Sequence, residues 1–334
     1  MTNSSAPDWR ACRVVEAELV TPSARRITLE RPVAPGRPAD PGTHVDVRVR
    51  LPSGEQDTRS YSVVETDPTG RLVTLTVRLA EHSRGGSAYL HGLAVGDVVE
   101  MTGPLQDFPL LIGADSYVLL AGGIGITALV GTARTLRRLG ADYTVVYVGR
   151  TREAMAYADL LLAEHGDRVA LHVDDEGAAL DVPALVDRIA ATPGRTELLM
   201  CGPVRLMDAA RRAWSSAGLA PVDLRFETFG NSGWYDAEPF EVTLAELGIS
   251  ATVAPDQTML EALTAAGADL MWDCRKGECG LCAMRVSDLR GDVDHRDVFF
   301  SDRQKQDADR LCMCVARVVA GDRAAPARVT LTTL

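Results

Sequence analysis

Three cysteines in the C-terminal third have a spacing that can hold an iron–sulfur cluster. Cys274, Cys279 and Cys282 stand in the run DCRKGECGLC with the pattern C-x4-C-x2-C, which needs a fourth thiolate downstream. Gly277 and Gly280 lie inside the run and can turn backbone N–H groups towards the sulfurs. A zinc site is the alternative, but zinc ribbons usually pair two C-x2-C motifs. The spacing therefore favours a [2Fe-2S] cluster.

Two downstream cysteines compete for the place of the fourth ligand. Cys312 and Cys314 lie two residues apart in LCMCVARV, so they would project on the same face of a strand. Spacing alone leaves both open. The seven cysteines are too few for a disulfide scaffold of 334 residues, and their clustering indicates metal ligation in a reducing compartment.

A glycine-rich turn predicts a nucleotide site. AGGIGIT at 121–127 follows the apolar run YVLL and precedes a helical pattern, so backbone amides and the helix dipole can face a pyrophosphate. A plain tight turn is the alternative, because the run is not G-x-G-x-x-G. A second run, MCGP, ends the fourth apolar strand, at the edge where open α/β sheets bind ligands. The candidate nucleotide-binding residues are Gly122, Gly123, Ile124, Gly125, Thr127, Arg150, Cys201, Gly202 and Pro203.

Two short runs in the first third could bind a flavin: one contains an arginine and a tyrosine, and the other contains an arginine and two adjacent glycines. They are Arg59-Ser60-Tyr61-Ser62, on a predicted strand, and Arg84-Gly85-Gly86-Ser87. An arginine suits a phosphate, a tyrosine can cover an isoalloxazine face, and Gly-Gly-Ser offers donors to phosphate oxygens. Neither run is specific by itself, since an exposed strand and a turn would explain them equally well.

The periodicity of the chain divides it into parts that must position these residues. Residues 12–110 carry short β-branched runs separated by turn sequences such as PSG and DPTG, which predicts a small antiparallel barrel. From residue 116 apolar strands alternate with helical stretches, which predicts βαβ units and a parallel sheet. Residues 229–239 have neither period and predict a linker. Two strand-like runs follow, then a helix starting at Asp256 or Thr258.

The pattern from about residue 11 to 334 resembles the phthalate dioxygenase reductase-type family of the ferredoxin–NADP reductase superfamily. GGIGIT followed by CGP resembles the NAD(P)H-binding half, and R-x-Y-S with GGS resembles the flavin site. The resemblance implies a multidomain fold: an antiparallel β-barrel flavin domain at 11–112, an α/β parallel-sheet nucleotide domain at 113–230, a linker at 231–240, and an α+β β-grasp ferredoxin domain at 241–334.

The resemblance also implies roles for single residues around the flavin. Cys201 is expected beside the nicotinamide and, together with Ser62, is a candidate catalytic residue. Thr76 and Val77 match the strand that lies along the flavin ring. Phe229, in the run FETF, matches an aromatic ring that approaches the flavin.

The fourth cluster ligand and the type of flavin follow from the same resemblance. The segment DHRD precedes the run Cys314-Val315-Ala316-Arg317, which matches the family's C-V-S-R run and selects Cys314. The expected ligand set is then Cys274, Cys279, Cys282 and Cys314. The order of flavin barrel, nucleotide domain and C-terminal ferredoxin domain implies FMN rather than FAD.

Together these parts imply an NAD(P)H-dependent oxidoreductase of the electron-transfer type. A flavin accepts two electrons from a nicotinamide and can pass them singly to a cluster. The chain has no terminal oxygenase motif, so the expected partner is a separate Rieske non-haem iron oxygenase or cytochrome P450 that docks near the ferredoxin domain. A stand-alone flavin reductase or diaphorase with an accessory cluster is the alternative. Arg150 favours NADPH whereas the family layout favours NADH, so the donor stays open.

Charge and hydropathy limit the other partners. The net charge is −11, which argues against nucleic acid or an anionic membrane surface as a partner. Residues 240–334 carry more acidic than basic residues, so we expect this face to meet a basic patch on the partner. No apolar run is long enough to span a bilayer and no secretory signal opens the sequence. We therefore expect a cytoplasmic protein, and a monomer, although the sequence does not determine the oligomeric state.

Overall fold

The computed structural model describes residues 8–80, 85–229, 233–321 and 325–333. The chain forms two compact units, one of Met1–Gly202 with Ala213–Glu227 and one of Pro203–Arg212 with Thr228–Leu334. Arg84 of the predicted phosphate-binding run and residues 230–232 of the predicted linker lie outside the described residues. The boundaries of the three expected domains stay a prediction.

The first unit begins with a closed antiparallel barrel, as predicted. Its strands pair in the order β4-β5-β2-β1-β6-β3, and β3 also pairs with β4 to close the barrel. Alternation drives the closure: in β3, Val45, Val47 and Val49 point inward and are buried. The elements are β1 Arg10–Thr21, β2 Ala24–Glu30, β3 Thr43–Arg50, β4 Gln56–Thr66, β5 Leu72–Arg78, α1 Gly86–His91, β6 Val98–Met101 and the short β7 Leu105–Gln106.

A five-stranded parallel sheet follows in the same unit, also as predicted. Its strand order is β10-β9-β8-β11-β12. Strands β9 and β10 are therefore added on one side of β8, and β11 and β12 on the other side. Ligands of open α/β sheets bind at the carboxyl ends of the strands where the order switches in this way, here between β8 and β11. The elements are β8 Ser116–Gly122, α2 Val130–Leu139, β9 Asp142–Gly149, α3 Ala158–His165, β10 Val169–Val173, α4 Val182–Ala191, β11 Thr196–Cys201 and β12 Leu224–Glu227. Between β11 and β12 lies α5 Val204–Ser216, whose part up to Arg212 belongs to the second unit.

Arg134 on α2 joins the barrel to the helices of the parallel sheet within this unit. Its guanidinium donates to Glu65 on β4 at 2.8 Å and to both carboxylate oxygens of Glu164 on α3 at 2.8 and 2.9 Å. The two-pronged contact with Glu164 uses the planar fork of arginine. It holds the glycine-rich turn that precedes α2 in a defined position against strand β4.

The C-terminal part of the second unit is a sheet covered by a helix, as expected for a β-grasp ferredoxin domain. A five-stranded mixed sheet has the order β14-β13-β19-β15-β17, and β16 pairs with β18. Thr258 caps α6 through a reciprocal pair of hydrogen bonds with Glu261, so the helix starts after Thr258 rather than Asp256. The elements are β13 Phe240–Leu244, β14 Ile249–Val253, α6 Met259–Ala265, β15 Ala283–Arg290, β16 Asp292–Asp294, α7 Asp302–Asp307, β17 Arg310–Cys312, β18 Arg317–Val319 and β19 Arg328–Thr332.

Among the described residues, no helix combines the length and apolar character that crossing a bilayer would require.

The buried centre of the parallel sheet generates a test of the fold. Leu120 lies on β8, the middle strand, and is fully buried, whereas Leu139 at the end of α2 is 58% exposed. We expect Leu120→Ala to lower the free energy of unfolding by about 2–5 kcal/mol, because it removes buried methyl groups and leaves a cavity. The same change at Leu139 should stay within about 0.5 kcal/mol. Urea unfolding followed by circular dichroism measures both, and equal effects would contradict the assigned core.

Candidate flavin, nucleotide and iron–sulfur sites

Three backbone amides of the cysteine run point at one sulfur. The N–H groups of Lys276, Glu278 and Cys279 each lie 3.4 Å from Cys274 Sγ. Burial by itself raises the pKa of the Cys274 thiol. A hydrogen bond from the Cys314 thiol, together with these amides, outweighs burial and lowers the pKa of Cys274 to about 4. The loop therefore stabilises the thiolate, which is the form that binds iron.

Two glycines give the loop this shape. Gly277 and Gly280 both adopt left-handed backbone angles, with φ of 74° and 73°. A Cβ on Gly277 would come within 2.7 Å of the Val315 side chain and 2.9 Å of Asp297 Cα, and a Cβ on Gly280 would enter the Phe299 ring at 2.2 Å. Both positions must be glycine, as the spacing predicted, and tertiary contacts add a steric reason.

The two candidate fourth ligands lie on different elements. Strand β17 ends at Cys312, and 313–315 form a turn, so the expectation of one shared strand face is wrong. The Cys314 thiol hydrogen-bonds both Cys274 and Cys282, which raises its own pKa, whereas Cys312 hydrogen-bonds Cys282. Hydrogen bonds from Cys312 and Cys314 lower the pKa of Cys282 to about 3 against the effect of burial.

These observations fit a two-iron cluster. Cys314 lies within hydrogen-bonding distance of both Cys274 and Cys282, and the exposed Cys279 closes the loop beside Cys274. The described residues hold no group of three or more His, Cys, Asp or Glu arranged around one metal ion. A [2Fe-2S] cluster does not require such a group, because each iron takes two protein ligands.

Thr228 fastens the cysteine loop from outside. Its backbone N–H and its hydroxyl lie 2.7 Å from the same carboxylate oxygen of Glu278, and the hydroxyl is also 3.0 Å from the carbonyl oxygen of Lys276. Thr228 is buried, and burial also raises the pKa of Glu278. The contact sets the positions of Lys276 and Glu278, both of which lie between the ligands Cys274 and Cys279.

The predicted flavin-binding residues of the barrel come together beside α1. A Cβ on Gly86 would lie 2.8 Å from Arg59 Cγ, so the glycine lets the turn before α1 approach strand β4. The Arg59 guanidinium pairs with Asp57, and Ser60 donates to Asp46 at 2.6 Å. Burial raises the pKa of Tyr61.

The other predicted flavin-binding residues of the barrel lie in the turn before α1, at the start of α1 and on strand β5. Gly85 has a φ of 96°, and Ser87 Oγ accepts from the backbone N–H of Ala80 at 3.3 Å. On β5, the buried Thr76 hydroxyl bonds the hydroxyl of Tyr157, a residue in a left-handed conformation that follows β9. Val77, next to it, is buried. A Gly-Gly-Ser turn beside an arginine fits a flavin phosphate.

The nucleotide turn and the end of β11 are in contact. Residues Gly123–Ala128 form a 3-10 helix after β8, and a Cβ on Gly125 would lie 2.2 Å from the carbonyl oxygen of Cys201. Thr127 closes the turn by donating to Ile124 O at 2.9 Å. Only glycine at 125 permits this approach, so the turn presents its backbone at the point where the strand order reverses.

Glu227 links the candidate catalytic residues. It is the register partner of Cys201 on neighbouring parallel strands, which places both side chains on one face. Ser62 Oγ donates to Glu227 Oε2 at 3.2 Å, and all three residues are buried. Arg150 is exposed after β9, where its carbonyl oxygen accepts from Asp175 N–H at 3.0 Å. Phe229 is half-buried just after β12.

Family models match both ends of the chain. One described as an oxidoreductase FAD-binding domain covers residues 11–109, and one described as a 2Fe-2S iron-sulfur cluster binding domain covers residues 242–319. Phenoxybenzoate dioxygenase subunit beta of Ectopseudomonas oleovorans is 39% identical over 280 residues, 83% of this chain and 84% of the relative. The crystal structure of phthalate dioxygenase reductase aligns with a TM-score of 0.69 and 28% identity, over 97% of this chain and 98% of that chain.

This chain belongs to the phthalate dioxygenase reductase-type family. It is an oxidoreductase of the electron-transfer class that serves oxygenase systems. An intact type IV self-sufficient cytochrome P450 monooxygenase also aligns, with a TM-score of 0.62 and 32% identity over 99% of this chain. The chain spans only 42% of that P450.

Sequence reasoning missed four polar residues of this reductase. Glu227 and Thr228 were visible only as part of FETF, and Glu278 only as a spacer between ligands. A carboxylate at the end of a parallel strand and another inside the cysteine run were the available signals. Tyr157 gave no signal, because its contact with Thr76 joins residues 81 positions apart.

The contacts of the two downstream cysteines in this reductase differ enough for a direct test. We expect Cys314→Ser to abolish cluster binding, since Cys314 hydrogen-bonds two predicted ligands. Cys312→Ser should keep the cluster, because Cys312 hydrogen-bonds only Cys282 among them. Iron content and visible absorption of the purified variants measure this. A cluster retained in Cys314→Ser and lost in Cys312→Ser would move the assignment to Cys312.

The Thr228 contact predicts slower loss of the cluster in the wild-type reductase than in a valine variant. Thr228→Val removes a hydroxyl hydrogen bond to a carboxylate, typically worth about 1.5–3 kcal/mol. We therefore expect loss of the cluster to a chelator to be about tenfold faster or more. Thr228→Ser keeps the hydroxyl and is the matched control. Equal decay of visible absorbance in all three proteins would show that the contact does not hold the loop.

Proposed function

We propose that this reductase transfers electrons from NADH or NADPH through FMN and a [2Fe-2S] cluster, one at a time, to a separate oxygenase. The arrangement around Cys274 carries the proposal, because three amides and a neighbouring thiol stabilise a thiolate in a loop with cluster spacing. A protein that only reduced flavin would have no need of this loop. Relatives named as oxygenase subunits support the same direction of transfer.

The residues at the sheet edge act on the nicotinamide by positioning it. Gly125 allows the turn after β8 to approach β11, so its backbone can hold the pyrophosphate. Cys201 and Ser62 would then flank the nicotinamide, and Glu227 orients the Ser62 hydroxyl by accepting its hydrogen bond at 3.2 Å. When bound, a flavin supplies the conversion between two-electron and one-electron transfer. The chain itself supplies alignment and the exclusion of water.

FMN is the proposed flavin, although the matching family model is described by FAD. The proposal rests on the domain order that the chain shares with phthalate dioxygenase reductase-type proteins. Arg59, Gly85, Gly86 and Ser87 are the proposed phosphate-binding residues. Chromatography of the flavin released by heating identifies it directly as FMN or FAD.

The oxygenase is proposed to dock where the cluster lies closest to solvent. Cys279 is the exposed ligand, and large apolar side chains flank the ligand cysteines with exposures between 46% and 69%: Met271, Trp272, Leu281 and Phe299. An apolar centre with a charged rim is typical of protein interfaces. The acidic excess of residues 240–334 would then guide a basic partner rather than form the contact itself.

Visible absorption of the purified protein, recorded anaerobically before and after NADH and NADPH, tests the proposed function. We expect a mixed flavin and iron–sulfur spectrum in which both components bleach, because the donor reduces the flavin and the flavin reduces the cluster. The nucleotide that acts faster identifies the donor. Bleaching of the flavin with unchanged cluster absorption would favour the diaphorase, and a colourless protein would overturn the proposal.

A further inference from the structure

A buried histidine and aspartate lie together after β16 without full hydrogen bonding. His295 is 8% exposed and Asp297 is fully buried. Neither ring nitrogen of His295, nor Oδ2 of Asp297, has a hydrogen-bond partner among the described residues. His295 Nδ1 and Asp297 Oδ2 are 3.4 Å apart, longer than an ordinary hydrogen bond. Buried polar atoms are rarely left in this state without a functional reason.

Asp297 lies against the cluster-binding loop. Val298 N–H donates to Gly277 O at 3.0 Å, and the space beside Gly277 is filled by Asp297 Cα. After the Cys282 hydrogen bond and burial, the negative charge of Asp297 is a further cause that raises the pKa of Cys312. Asp297 therefore acts electrostatically on Cys312, which in turn hydrogen-bonds the predicted ligand Cys282.

The cation nearest to Asp297 is shared with another acid. Lys305 Nζ donates to the Asp297 carbonyl oxygen at 2.6 Å and to Asp208 Oδ1 at 3.2 Å, and Asp208 also pairs with Arg211. Burial raises the pKa of Asp297, but His295, Lys305 and the Phe300 N–H, which donates to Asp297 Oδ1 at 2.8 Å, together outweigh it and hold that pKa below its ordinary value. Asp297 is thus a buried carboxylate whose charge is only partly balanced.

The charged side chains near His295 and Asp297 already have other partners. Asp294 forms an ion pair with Arg296 and accepts from the N–H of Trp234 at 2.9 Å. The buried Arg317 side chain donates to the carbonyl oxygens of Gln257, Glu238 and Ala254. None of these contacts involves His295.

We propose that His295 takes up one proton from solvent for each electron that enters the cluster, with Asp297 stabilising the imidazolium. The inference depends on the proposed function, in which the reduced flavin supplies the electron. An added negative charge beside a buried carboxylate is unfavourable at low dielectric. Imidazole is the side chain that gains a proton between pH 5 and 8. The proton returns to solvent when the electron leaves for the oxygenase, so charge and protons balance over the cycle.

The midpoint potential of the cluster between pH 6 and 9 tests this proposal. In the wild-type holoprotein we expect the potential to fall as pH rises, by up to about 59 mV per unit, the value for one electron and a tenfold change in proton concentration. His295→Gln should make the potential independent of pH. His172→Gln, at a histidine on β10, should keep the slope and is the matched control. Equal slopes in the two variants, or a flat wild-type profile, would overturn the proposal.

A second variant separates the electrostatic role from folding. Asp297→Asn keeps the shape but removes the charge that favours the imidazolium, so the sloping region should move to lower pH. Electron paramagnetic resonance of the reduced cluster confirms that each variant keeps its ligands. A wild-type protein with an intact cluster and a potential that does not change with pH would refute this inference alone. A wild-type protein without a cluster would refute the proposed function as well.

Discussion

Holding a charged sulfur inside a protein is the constraint on which the second unit depends. A buried charge is unfavourable unless hydrogen bonds compensate it. Three amides of the loop lie within 3.4 Å of Cys274 Sγ, and they can do so because Gly277 and Gly280 adopt left-handed angles. The DHRD segment packs on Gly277 and Thr228 fastens Glu278. The conformation of the loop is thus fixed by these surrounding contacts and not by the cysteine ligands alone.

Close backbone approach is the corresponding constraint in the first unit. The turn after β8 can reach the end of β11 only because Gly125 has no side chain to meet the Cys201 carbonyl. Ser62 and Glu227 meet across a sequence separation of 165 residues. The next residue, Thr228, belongs to the second unit and binds Glu278 there. Glu227 thus contacts a candidate nicotinamide-binding residue, and the next residue, Thr228, contacts the cysteine loop.

Much of the fold was predictable because period and turn chemistry are local properties. The alternating runs, the βαβ pattern and the Thr258 cap each depend on a few neighbouring residues, and the structure bears them out. Strand β1 was not predicted, because the exposed Arg13, Glu16 and Glu18 interrupt the apolar pattern that the buried Cys12 and Val14 begin. Such a mixed run acquires its partners only when the barrel closes.

The sequence alone predicted the class of chemistry, because cluster ligation and nucleotide binding depend on residue types at short, fixed spacings. It could not separate Cys312 from Cys314, since their difference lies in where β17 ends and which thiols each one reaches. Only the tertiary structure brought Glu227 to Ser62, Thr228 to Glu278 and Asp297 to Gly277. Those contacts join distant segments, and no local pattern specifies which buried polar groups will meet.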